Sequence, residues 1–325
     1  YPQLDSFEVA VLEVPWASGN RPCRLRVRGG YRVSHCDLGL FCAGSPDDRS
    51  PQHNDCSYIR AVRTAIEILG RLRPLPDMDL FVSPGNIDTE QTEVPVFSRH
   101  RPREPRGMYA LLPMEWQLHP WQMRKLTARV ERAGIRLPWA RREPRLLWRG
   151  SNSNCMHSCS IAKASRGDVS WASCLEAYDC REQWTWSNWH NTPRGRMVFL
   201  SQMLPAVDAR WTGLSQAMDP SLWAYFQEHN MTGAPVPPAE QAHWRYTINL
   251  FGTSNCDRIY WQLFAGALVL AQDTPFVSWA LGVVGAGARG AALQPFEHYV
   301  PVRYDLSDLP ERLQWLRDND ARAEE

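Results

Sequence analysis

The chain has 325 residues, enough for two domains that each bury a core of their own. Its 36 basic and 35 acidic side chains leave a net charge of +1, which argues against a polyanion such as nucleic acid as partner. No stretch approaches the roughly 18 apolar residues of a membrane-crossing helix.

The sequence opens at Tyr1 without a signal-like apolar segment and reads as a mature or trimmed fragment, so a leader or membrane anchor is expected outside it. The nine cysteines fall into two groups, Cys23/Cys36/Cys42/Cys56 and Cys155/Cys159/Cys174/Cys180, with Cys256 alone. Even groups in this number fit up to four disulfides, one free thiol and an oxidising, lumenal compartment. Four cysteines and His157 could also ligate zinc, but disulfides are the expectation in that setting. Asn230-Met231-Thr232 is a glycosylation sequon that agrees with the same address. Fifteen tryptophans are many, and aromatic faces suit sugars, yet most are expected to be packing residues.

In chain order, residues 1–54 read as an irregular, disulfide-tied region with short apolar alternations at 8–14 and 23–27. Asp55 caps an expected helix over 55–71 with Ile59, Val62, Ile66 and Leu69 on one face, ended by Pro74 and Pro76. A buried strand follows at 79–83, and the loop 85–93 beyond its carboxyl end is where an α/β sheet places ligands. The basic, proline-broken run 99–106 reads as a solvated turn, with contact to an anionic acceptor as the alternative. A helix over 121–132 and a linker at 141–145 precede a strand at 146–148. Residues 152–192 are rich in Cys and Trp and resist assignment. A helix is expected from Pro193 to residue 204, a strand at 207–211, a helix at 222–228 and a strand at 246–251.

That last strand stops at Gly252. Thr253, Ser254 and Asn255 are helix-capping residue types, and Ile259, Leu263 and Gly266 follow at helical spacing before another strand at 267–271. Such a strand–glycine–helix unit offers free amides and a positive dipole end to a phosphate. Arg258 falls in the expected first turn, where a cation opposes the dipole by roughly 0.3–1 kcal/mol and an anion would reverse the sign. The plainer alternative is an ordinary buried unit whose arginine pairs with Asp257 or reaches solvent. Gly285 to Gly290 matches the dinucleotide pattern G-x-G-x-x-G, but Pro295 follows too soon for the helix that pattern needs. A nicotinamide-dependent oxidoreductase would rest on this match alone.

The runs HWRYTINLFGTSNCDR (243–258), PFEHYVPV (295–302) and DLSDLPERLQWLRDND (305–320), with Trp-Arg-Gly-Ser at 148–151, resemble glycosyltransferase family 90. That family holds Rumi-like protein O-glucosyltransferases and fungal capsule-associated xylosyltransferases. The similarity runs in order from about residue 54 and is strongest after 243. The resemblance implies an α/β fold of GT-B type, two Rossmann-like domains facing a cleft: 1–142 for the acceptor and base, 143–325 for the nucleotide sugar. The last helix, 308–323, would return to the first domain. It implies inverting transfer of glucose or xylose from a UDP-sugar to a hydroxyl of a glycoprotein or glycan, in the endoplasmic reticulum or Golgi lumen, with no cofactor and no required metal. Arg258, the amides of Gly252, Thr253, Ser254 and Asn255, and Arg194 (Arg196 as the alternative) would hold the diphosphate. Arg149 belongs to the motif that opens the donor domain, and Glu297 and His298 become candidates for the nucleotide or sugar. The family's catalytic aspartate falls, without gaps, on Asn86; Asp88 is the nearest aspartate and the candidate base, with Glu90 close by. A non-catalytic lumenal carbohydrate- or protein-binding module on a decayed transferase fold is the rival reading.

Overall fold

The computed structural model describes residues 23–28, 32–34, 51–83, 95–103, 108–113, 118, 120–153, 183–253, 256–282 and 293–325. The first half builds a five-stranded sheet from β1 (Cys23–Arg28), β2 (Arg32–Ser34), β3 (Met78–Val82), β4 (Val96–Ser98) and β6 (Tyr109–Leu111), in the order β2-β1-β3-β4-β6. β1 pairs antiparallel with β3, so part of the N-terminal region read as irregular is a strand of this sheet. Helix α1 (Pro51–Leu72) lays Tyr58, Ile59 and Val62 against Val27 and Val82. Leu69, expected on the same face, is exposed, since the helix outlasts the apolar surface it covers.

The second sheet is parallel throughout. It comprises β7 (Glu143–Ser151), β8 (Val207–Gly213), β9 (Trp244–Asn249), β10 (Leu268–Gln272) and β12 (Val300–Val302), in the order β12-β10-β9-β7-β8. Strands buried on both faces lose the in–out alternation, which is why they stand in the sequence as short apolar runs. Helices α3 (Pro193–Ser201) and α4 (Pro220–Glu228) join its core. Thr192 caps α3 by accepting from the Gly195 amide, and Pro193 presets its first turn. Trp148, Trp184 and Trp211 meet edge to face, with centroids 5.6 and 5.5 Å apart, so these three tryptophans are packing residues.

The chain leaves β7 for β8 on one side, then returns to place β9 on the other side of β7. That reversal is the topological switch point, where the carboxyl ends of β7 and β9 diverge and leave a crevice.

The two halves are stitched by a small antiparallel pair, β5 (His100–Pro102) with β11 (Phe276–Ser278). The Arg103 amide donates to Pro275 O (3.0 Å), its Nε to Thr274 O (2.8 Å), and its guanidinium pairs with Asp273. The described part of the run 99–106, expected to be a solvated basic turn, is therefore a partly buried strand at this seam, with Arg99 buried over the Tyr58 ring at 4.6 Å. Helix α2 (Pro120–Arg136) buries Val130 against Trp261, Ala265 and Ala267 of the second half. The terminal helices follow the second sheet as well. In α6 (Leu309–Asp318) and α7 (Asp320–Glu324), Leu309, Leu313, Leu316 and Ala323 belong to that sheet's core, and Asp320 accepts from Trp139 Nε1 and Arg245. Among the described residues the apolar face of the terminal helices packs on the second core, while Asp320 reaches Trp139, within the 1–142 region to which the last helix was expected to return.

Arg142 holds α2 to the turn after residue 262. It donates to Leu137 O, Gly134 O and Ala265 O at 3.0, 2.8 and 3.2 Å, and lies under Gly266 in its left-handed conformation (φ +64). Arg142→Met would leave buried carbonyls without donors and is expected to lower unfolding free energy by about 2–4 kcal/mol in urea denaturation. A loss under roughly 0.5 kcal/mol, the range of ordinary surface substitutions, would contradict this role.

Candidate donor site at the switch point

β7 ends in Gly150-Ser151 and β9 runs out through Leu250-Phe251 to Gly252, and two arginines reach into the crevice between them. Arg194 comes from the first turn of α3 and is buried; its Nε donates to Phe251 O (3.1 Å) and its Nη1 to Ser151 O (3.0 Å). One guanidinium thus spans both strand ends. Arg258 comes from the loop after β9; its Nη1 donates to Arg149 O, and its guanidinium carbon lies 6.0 Å from the Trp148 ring centroid.

Backbone approach here is close enough to require glycine. A Cβ on Gly252 would meet Arg194 Nη2 at 2.3 Å and Ser153 Oγ at 3.0 Å. One on Gly150 would meet the Trp148 ring at 2.6 Å and Arg258 Nη2 at 3.0 Å. Polar side chains tie the surrounding loops. Ser153 Oγ is 3.0 Å from Thr253 Oγ1 and accepts the Thr253 amide at 3.3 Å. Asn152 accepts from the Ser215 and Gln216 amides and donates to Gln216 O, binding β7 to the loop after β8. Gln272, closing β10, accepts the Phe251 amide at 2.8 Å.

The electrostatics favour an anion. Arg194 and Arg258 bond only to neutral carbonyls, and among the described residues neither forms an ion pair. Burial, with the charge of Arg258 adding to it, pulls the Arg194 pKa down to about 10, partly offset by Cys256 and Asp257. The side chain therefore keeps its charge at neutral pH while paying for desolvation, a cost that an anion in the crevice would relieve.

The sequence candidates divide on this geometry. Arg194, Arg258, Gly252 and Thr253 come together; Arg196 instead lies over the Phe199 ring at 5.5 Å. Arg149 turns the other way. Its guanidinium bonds Asp208 Oδ2 at 2.9 Å and Asp208 O at 2.8 Å, and only its carbonyl serves the crevice, by holding Arg258. Burial alone would raise the Asp208 carboxyl; the bond and charge of Arg149, with Arg210 and Arg145, hold it below the usual carboxylate range. Glu297 and His298 do not join the crevice. They precede β12, which runs parallel to β10, so they sit at the amino ends of the strands, the opposite edge of the sheet. The expected long helix is one turn, α5 (Ile259–Gln262), with Arg258 before it, because the chain reaches left-handed Gly266 so soon. So short a helix has little dipole, and the arginine pair supplies the positive field instead. Ser254, Asn255, Asp88, Asn86 and Glu90 lie outside the described residues, as do the Cys155–Cys180 group and the glycine run 285–290. Cys256 is a free thiol. Ser153 and Asn152 went unnoticed in the sequence; the resemblance to Trp-Arg-Gly-Ser pointed just upstream of them.

The family model for glycosyl transferase family 90 matches residues 52–325, and the chain belongs to that family. It carries a glycosyltransferase domain. Among curated proteins it is 37% identical over 90 residues to uncharacterized protein 027R of Frog virus 3, covering 28% of this chain and 9% of that protein. It is 34% identical over 80 residues to human protein O-glucosyltransferase 3, covering 25% of this chain and 14% of the human protein. The chain thus matches only a small part of the length of these relatives.

Gly252→Ala is expected to push the Arg194 guanidinium off both strand ends. Calorimetric affinity for inorganic pyrophosphate should fall at least about tenfold, a difference of about 1.4 kcal/mol. Undiminished affinity in the folded variant would show that this approach is not part of an anion site.

Proposed function

We propose that the chain transfers glucose or xylose from a UDP-sugar to a hydroxyl of a glycoprotein or glycan, with inversion, in the endoplasmic reticulum or Golgi lumen. The observation that carries the donor half of this reading is the arginine pair at the switch point, two cations that among the described residues bond to carbonyls and form no ion pair. Arg194 and Arg258 would clasp the diphosphate, oriented by the backbone around Gly252. They would stabilise the negative charge that develops on UDP as the glycosidic bond breaks, an electrostatic role best filled by preorganised, desolvated donors.

Inversion needs one carboxylate within reach of the acceptor hydroxyl to take its proton. The loop after β3 is the place the family resemblance gives it, and Asp88 is our candidate. The two sheets would then face each other in a GT-B arrangement, a reading supported by the β5–β11 seam that brings the end of β4 toward the carboxyl edge of β10. Asn86, standing where an ungapped comparison wants the acid, keeps the binding-module alternative open.

A thermal-shift panel of UDP, UDP-glucose, UDP-xylose, UDP-galactose and NAD tests the donor class, because a bound ligand raises stability by mass action. UDP and at least one UDP-sugar should stabilise the chain and NAD should not. Arg258→Ala should weaken UDP about 10- to 100-fold, the loss of one charge-assisted contact; unchanged affinity would remove Arg258 from the site. For the base, Asp88→Asn should retain UDP binding and lose about 10²–10⁴-fold in transfer, while Asn86→Asp changes little. Full turnover by Asp88→Asn would reject that assignment, and gain of activity by Asn86→Asp would place the acid there.

A further inference from the structure

The run PFEHYVPV has no part in the switch-point crevice, yet it lines a cavity of its own. About 610 Å³ opens at the amino ends of β10 and β12, between the turn leading into β12 and the helices α6 and α7. Two large aromatic side chains border it and remain in contact with solvent, Phe296 at 66% exposure and Trp315 at 46%. Phe296 is held there at φ +62, a left-handed conformation that a bulky non-glycine residue adopts only under strain. Arginines brace both rings: Arg312 lies 5.6 Å from the Phe296 centroid and Arg322 5.8 Å from that of Trp315. Glu297, His298 and Glu324 add hydrogen-bonding groups to the wall.

The chemistry of this lining selects its occupant. A purely apolar ligand would desolvate the carboxylates and the imidazole without satisfying them. A phosphate or nucleotide would meet the three carboxylates of Glu297, Glu324 and Glu325, which outnumber the guanidiniums of Arg322 and Arg312 beside them, the reverse of the balance at the switch point. A neutral sugar fits both halves: its C–H faces lie on aromatic rings and its hydroxyls bond carboxylates and imidazole. The volume falls within the usual range of small-ligand sites. We propose that this cavity is a second, non-catalytic binding site for a neutral oligosaccharide, with Trp315 and Phe296 as platforms and Glu297 as a hydroxyl acceptor. It lies one strand length, roughly 15 Å, from the carboxyl edge, so it and the switch-point crevice can be filled together. Neither the donor nor the transfer reaction enters this assignment.

Ligand-observed NMR titrations of the whole chain with xylotriose, maltotriose, cellotriose and triacetylchitotriose test it. At least one trisaccharide should bind, Trp315→Ala should weaken it at least about tenfold, Glu297→Gln should weaken it severalfold, and saturating UDP should leave it bound. Both substitutions are at exposed positions, and the fold of each variant is checked by its thermal transition. Absence of binding by all four, undiminished binding by both variants, or displacement by UDP would each overturn the assignment. Failure of UDP to bind would count against the proposed donor and leave the trisaccharide titration fully interpretable.

Discussion

One guanidinium holds the carboxyl edge of the second sheet in shape. Arg194 reaches from α3 to the carbonyls of Ser151 and Phe251, the ends of the two strands that flank the switch point. Separated strand ends would otherwise present carbonyl oxygens to the crevice, a surface that repels anions. Arg194 covers those oxygens and turns the crevice positive, and Arg258 does the same for Arg149 O. The glycines at 150 and 252 follow from this constraint, because the side chains that reverse the sign of the field occupy the space a Cβ would need. Structural and chemical roles coincide: the groups that satisfy the backbone are those that would bind a diphosphate.

The seam between the halves depends on that edge. β11 follows directly on the end of β10, where Gln272 bonds the Phe251 amide and Asp273 meets Arg103. Arg103, β5 and β4 therefore connect the first sheet to the backbone that shapes the crevice. A displacement of either sheet would be felt through four residues, from Arg103 through Asp273 and Gln272 to Phe251. The tie is polar and partly buried, with a net worth of a few kcal/mol or less, so it orients the halves more than it stabilises them.

Much of this was legible in the sequence where burial dictates residue type. The strands at 146–148, 207–211, 246–251 and 267–271 stood out as apolar runs, and each forms within two residues of its reading except β7, which extends three residues further at each end, over Glu143–Ser151. Arg194 and Arg258 were found through family resemblance and through charge at an expected helix start. The helix expected there is cut to one turn by Gly266, so the positive charge at the crevice comes from side chains. Misreadings arose where a partner distant in sequence decides. Proline and arginine made 99–106 look like a solvated turn, but pairing with Phe276–Ser278 makes a strand of its residues His100–Pro102. The guanidinium of Arg149, named for the donor site by its motif, bonds Asp208, fifty-nine residues on, a partner no local pattern announces. Glu297 and His298 were placed correctly before a strand, but strand direction, which no local pattern encodes, sends them to the opposite edge of the sheet.

On this reading the arginine pair at the switch point would be the donor diphosphate site. A crystal structure with UDP tests it most directly. The account predicts both phosphates in the crevice between the ends of β7 and β9, with oxygens about 3 Å from guanidinium nitrogens of Arg194 and Arg258. A well-ordered UDP bound elsewhere, with the crevice holding only water and both arginines unmoved on their carbonyls, would contradict it.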